Sequence, residues 1–190
     1  MVPLPRTSAV PEDNIATSDK AGVRGILHQL RDLLLLPYAL LVAVPRTMIP
    51  FETHMDSMLP TIRAGDRVMV LALEHLGAEP LRRGNLVVFE SWHEGEAAAL
   101  KRVIAVPGDE VEIRTHTVFV NGTALDEPYA VPPTHGMLPP KRLGEGEYYV
   151  MGDNRGDSCD SRTHGPLTLD RVIGRVILRN APLTRMTFFD

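Results

Sequence analysis

An all-β domain, barrel or sandwich, behind one apolar segment is the fold class that the sequence predicts, and three observations predict it. Beyond residue 51 the 190-residue chain breaks into short β-branched runs closed by Gly, Asn, Asp or Pro, the pattern of strands joined by tight turns. No stretch there sustains the 3.6-residue apolar period of a long amphipathic helix. The 15 Gly and 16 Pro residues are a turn-rich complement that argues against a helical bundle. Hydrophobic residues at 44% against 23% charged supply a core and exclude a disordered chain. With 20 basic and 24 acidic residues the net charge is −4, so no cationic field points to nucleic acid as a partner. The single cysteine, Cys159, rules out an intrachain disulfide and a four-cysteine zinc site.

Residues 1–32 are polar, mixed in charge and punctuated by Pro3, Pro5 and Pro11, which predicts an N-terminal tail. Residues 33–44 then run without a charge, and the run extends to Phe51 with Arg46 as its one interruption. As a helix the shorter stretch covers roughly 18 Å, and the longer approaches the ~30 Å of a hydrocarbon core. Hydropathy alone leaves three readings of 33–51: a buried helix, a cleaved leader, or a membrane anchor. The long acidic-containing stretch ahead of it counts against a leader. Residues 52–190 form the predicted β domain, with strands at 67–71, 85–89, 101–106, 110–114, 117–120, 147–151 and 172–178. Asn121-Gly122 between two β-branched runs predicts a hairpin with a type I′ turn. Residues 125–146, with prolines at 128, 132, 133, 139 and 140, read as an extended surface excursion.

Three places carry more chemistry than a turn or strand requires. Ser57 lies between two methionines at the edge of the apolar stretch, where it is either a turn residue ahead of Pro60 or a nucleophile. The segment 152–162, Gly-Asp-Asn-Arg-Gly-Asp-Ser-Cys-Asp-Ser-Arg, is either a solvated loop or a shaped site in which Asp160 and Arg162 form a fixed ion pair. Lys101 opens an apolar β run and either snorkels outward or is buried. Burial disfavours the ammonium and lowers the lysine pKa, which yields a usable general base. His54 and Asp56 flank Ser57, but three catalytic roles within four consecutive residues is poor geometry, and His164 is the better histidine rival. The scattered histidines show no metal-ligand spacing.

Ser57-Met-Leu-Pro-Thr-Ile, Ala64-Gly-Asp-Arg-Val, Lys101-Arg-Val-Ile-Ala-Val-Pro-Gly-Asp, Val120-Asn-Gly and Val150-Met-Gly-Asp-Asn-Arg-Gly-Asp-Ser-Cys-Asp-Ser-Arg, in this order, together resemble the bacterial type I signal peptidases. The blocks cover most of residues 46–178. The resemblance implies a serine endopeptidase that needs neither metal nor cofactor. It would be held in the bacterial inner membrane by a single span at 33–51, with its β domain outside the cytoplasm. Its partners would be signal-peptide-bearing preproteins and membrane lipid. Residue by residue, Ser57 would be the nucleophile and Lys101 its general base. Ser158 would orient the lysine amine, and Asp153, Asp160 and Arg162 would hold the loop. Phe51 and Leu100 would line shallow pockets suited to Ala-X-Ala signals, and the Ser57 N–H would be one oxyanion donor. The sequence departs from the family at Met55, where a serine hydroxyl otherwise supplies a second donor, and at Asp56, a carboxylate beside the nucleophile. A related Ser-Lys peptidase with a dedicated substrate and a catalytically inert peptide-binding module are the alternatives.

Overall fold

The computed structural model describes residues 47–77, 81–131 and 134–189. Two antiparallel sheets form their framework. The larger runs in the order β1 (Met48–Glu52), β2 (Arg67–Ala72), β11 (Val172–Ala181), β3 (Leu86–Glu90), β4 (Ala98–Ala105), β9 (Glu147–Met151) and β10 (Leu167–Thr168), with β12 (Thr187–Phe188) also on β11. The smaller has the order β7 (Thr123–Ala124), β6 (Thr117–Val120), β5 (Glu110–Arg114) and β8 (Leu138–Arg142). One helical turn, α1 (Ser161–His164), follows β9.

The alternating strands behave as their sequences dictate. In β2 the even positions Val68, Val70 and Ala72 are buried while Arg67 is exposed, and in β5 Val111 and Ile113 point inward between exposed Glu110 and Arg114. Asn121 and Gly122 both take positive φ, +52° and +77°, as a type I′ turn between β6 and β7 requires. Ile104, Val111, Val118, Val120, Tyr149 and Met151 form a core between β4 and β9 of the large sheet and the small sheet. A second core joins Val68, Val70, Leu86, Val88, Leu100 and Val176 to Met58 and Ile62 from the β1–β2 connection.

Two elements differ from expectation. Residues 48–51, read from hydropathy as the end of the apolar segment, belong to β1, where Pro50 lies opposite Met69 and Phe51 opposite Val68. Hydropathy cannot separate an apolar edge strand from the end of a span, and Pro50 is tolerated because the strand has a neighbour on one side only. Residues 1–46, which include the predicted tail and most of the predicted anchor, lie outside the described residues. No helix among the described residues is long and apolar enough to cross a membrane. The predicted excursion at 125–146 contains β8, whose Pro139-Pro140 pair sits at a register shift on another edge strand.

Candidate active site

The connection between β1 and β2 carries Ser57. Thr53 closes it: its Oγ1 donates to the carbonyls of Arg63 (2.6 Å) and Asp66 (3.1 Å), and its own carbonyl accepts from Gly65 N (2.7 Å). Met58 and Ile62 are buried in the second core, so apolar burial pins the turn that begins at Ser57. A second clamp comes from the loop after β9. Asn154 N donates to the Ser57 carbonyl (3.0 Å) and Asn154 Nδ2 to the Asp56 carbonyl (3.1 Å).

Lys101 lies in β4 opposite Val87 of β3, with 4% of its surface exposed. Its Nζ is 2.7 Å from Ser57 Oγ. Burial pushes the Lys101 pKa below its usual range, against the opposing pull of Asp160 and weaker charges nearby. The ammonium form donates to Ser57 Oγ; the neutral amine that burial favours offers a lone pair to the Oγ–H instead.

The other expected residues gather around this pair. Asp153 is fully buried and accepts two parallel bonds from Arg102, at 2.8 and 2.7 Å, plus one from Thr61 Oγ1. Asp160 caps α1 through Arg162 N (3.1 Å), receives the Arg162 guanidinium at 2.8 Å, and accepts from Gly152 N at 3.0 Å. Burial alone would raise the Asp160 pKa, but the Arg162 guanidinium and the backbone donors hold it below the ordinary range. Ser158 differs from expectation: its Oγ donates to Asp160 Oδ2 at 2.9 Å rather than to the lysine amine. A carboxylate two residues along the same loop is the stronger local acceptor.

Phe51 and Leu100 border a cleft of about 590 Å³ that Ser57 and Lys101 also line. Both pack on the second core, so they form its apolar wall. Met55, 52% exposed, stands at the rim. Asp56 turns its carboxylate to Ala64 N at 3.2 Å. His54 borders the cleft, while His164 stacks on Trp92 and meets Cys159; of the basic side chains, Lys101 is the one bonded to Ser57.

Comparison with known proteins gives the family. Residues 29–180 match the family model described as signal peptidase, peptidase S26. The chain belongs to that family. Among curated relatives, a probable signal peptidase I-1 of Synechocystis sp. is 37% identical over 138 residues, covering 68% of this chain and 69% of the relative. Signal peptidase IB of Staphylococcus aureus is 32% identical over 162 residues, 73% and 81% of the two chains. A crystal structure of signal peptidase I from Enterococcus faecalis covers 50% of this chain and 95% of its own at 29% identity, with a TM-score of 0.44.

Several residues around the Ser57–Lys101 contact carried no signal in the linear pattern. Arg102, next to Lys101, is nearly buried, with Nη1 on the Gly84 carbonyl (2.9 Å) and its guanidinium 3.9 Å from the Tyr129 ring. Arg155 reaches back into the proline-rich excursion to pair with Glu127 and Thr134, and its Nε donates to the Gly152 carbonyl at 3.0 Å. His93, Cys159 and His164 also converge, although their spacing in the chain shows no ligand pattern. Gly152 is the position where backbone crowding is most telling. A Cβ there would collide with Ser158 Oγ and lie 2.5 Å from the Ser57 carbonyl oxygen. Gly152→Ala is therefore expected to push Ser57 out of line and cut kcat/KM about a hundredfold, the cost of roughly 1 Å of misplacement. Peptidase kinetics alongside a melting curve check it, and a wild-type rate would show that the loop yields freely.

Proposed function

We propose that the chain is a membrane-anchored serine endopeptidase that removes signal peptides from exported preproteins through a Ser57–Lys101 dyad. The single observation carrying this reading is the buried 2.7 Å contact between Lys101 Nζ and Ser57 Oγ at the wall of an apolar cleft. Ser57 Oγ attacks the scissile carbonyl carbon as its proton passes to the neutral Lys101 amine. The Ser57 N–H steadies the oxyanion. Lys101 returns the proton to the departing amine as the peptide C–N bond breaks, leaving an ester on Ser57. Water then hydrolyses the ester, with Lys101 again taking the proton and passing it back to Ser57. Asp153, Asp160, Arg162 and Ser158 act on the loop that holds Ser57, not on the substrate.

An extended peptide laid along the cleft would place small side chains against Phe51 and Leu100, which leave shallow room. The apolar segment ahead of β1 would anchor the chain in the bacterial inner membrane, with the β domain outside the cytoplasm, where translocated preproteins emerge. The test uses the full chain in detergent with a preprotein carrying an Ala-X-Ala site. Wild type is expected to release a mature protein whose N-terminus follows the second Ala, and Ser57→Ala to leave it intact. Equal cleavage by Ser57→Ala would overturn the dyad. Peptide binding by wild type without cleavage would favour an inert peptide-binding module.

A further inference from the structure

We propose that His93, Cys159 and His164 form a zinc site on the wall of the cleft, and that its occupation reversibly blocks the peptidase. Their ligand atoms all lie within 4.8 Å of one another, and Cys159 Sγ is already 3.1 Å from His164 Nε2. A tetrahedral zinc ion, with Zn–S near 2.3 Å and Zn–N near 2.0–2.1 Å, needs ligand separations of roughly 3.4–3.6 Å. His93 is exposed on the β3–β4 connection, so closing a gap of at most ~1.4 Å on its side and opening the Cys159–His164 pair by about 0.4 Å take side-chain rotations and not a movement of either sheet.

The donor set selects the metal. One thiolate and two imidazoles suit zinc, whereas magnesium and calcium need oxygen donors. Three protein ligands leave the fourth position to solvent. Packing orients the ligands: the His164 ring stacks on Trp92 at 4.9 Å, Trp92 sets its edge on Phe89 at 4.7 Å, and His93 meets His164 edge-on at 5.4 Å. Asp160 caps the helical turn that ends at His164. Such support fixes the His164 ring before the ion arrives, and the exposed His93 side chain rotates to join it. On binding, the Cys159 S–H bond breaks and its proton goes to buffer as the Zn–S bond forms. Both histidines bind through neutral nitrogens, and nothing is oxidised or reduced.

The inhibitory part rests on the peptidase reading above. His93 and Cys159 border the same cleft as Ser57 and Lys101, and Cys159 directly follows Ser158. An ion there, with its solvent ligand, occupies space that a substrate strand would cross.

Trp92 is the only tryptophan of the chain and touches His164, so its fluorescence reports occupancy. Metal-free full chain in detergent is titrated with Zn²⁺, and in parallel with Co²⁺, whose thiolate complex absorbs in the near ultraviolet. One equivalent is expected to change the fluorescence and produce the cobalt–thiolate band, with affinity at least tenfold weaker in Cys159→Ser and His93→Ala. Preprotein cleavage should fall with the same zinc midpoint and return on adding chelator. Each variant, normalised to its own zinc-free rate, should need at least tenfold more zinc. Absence of the cobalt band, or wild-type zinc affinity in both variants, overturns the site. Binding without loss of rate overturns the block alone. The spectra decide the metal site even if the chain cleaves no preprotein, so failure of the peptidase reading remains distinct.

Discussion

Replacing Lys101 by methionine is expected to lower kcat/KM about a hundred- to ten-thousandfold, the usual worth of a positioned general base, while leaving the β domain folded. Methionine keeps the length and apolar stem of the lysine and removes the amine that burial makes costly to charge. The sign of the pH dependence follows from the same burial. The folded pKa of Lys101 is below the 10.5 of an exposed lysine, so between those two values the unfolded chain binds the extra proton and wild-type stability rises with pH. Below the folded pKa the full cost of the buried ammonium is present. Lys101→Met should therefore flatten that rise and melt no lower than wild type near neutral pH. Activity follows the neutral amine: wild-type kcat/KM should climb with pH through the folded pKa of Lys101, with its midpoint below 10.5. The variant's residual rate should lack that limb. A methionine variant with wild-type kinetics, or one that keeps the acid limb, would remove Lys101 from the chemistry.

Local pattern served the fold well where strands alternate. The predicted runs at 110–114, 117–120 and 147–151 coincide with β5, β6 and β9, because period-two burial and turn residues are properties of a few neighbouring positions. It served less well at the edges. β1 and β8 contain prolines, and only knowledge of which strands lack a second neighbour makes a proline acceptable there. The site divides in the same way. Ser57 taken alone reads as a turn residue and Lys101 as an outward lysine; the resemblance to a family joined them, and their 2.7 Å contact spans 44 positions. Nothing in the chain's local pattern pairs Arg102 with Asp153 or gathers His93 with Cys159 and His164, since Arg102 in β4 meets a loop residue 51 positions away and His93 in the β3–β4 connection meets residues beyond β9. Ser158 is a case of the opposite kind: its Oγ donates to Asp160, only two residues along the chain.

Asp153→Ala is expected to cost about 3–5 kcal/mol of stability, the penalty for leaving a buried charge without its partner. Asp153 is fully buried, and Arg102 is only 9% exposed. Removing the carboxylate strands a guanidinium that is enclosed by the Gly84 carbonyl and the Tyr129 ring. It also frees Thr61 Oγ1, and with it the end of the turn that carries Ser57. For a domain of this size the loss corresponds to a drop in Tm of roughly 6–20 °C. The diagnostic variant is the double substitution Asp153→Ala with Arg102→Met, which removes both charges and should recover part of the loss even though it deletes more hydrogen bonds. Recovery of that kind separates a stranded charge from simple loss of packing, because packing losses alone would leave the double variant no more stable than Asp153→Ala. If Asp153→Ala melts within a degree or two of wild type, the ion pair is not what holds the loop. The Asn154 bonds to the carbonyls of Asp56 and Ser57 would then be left as the principal tie between the loop and the nucleophile's turn.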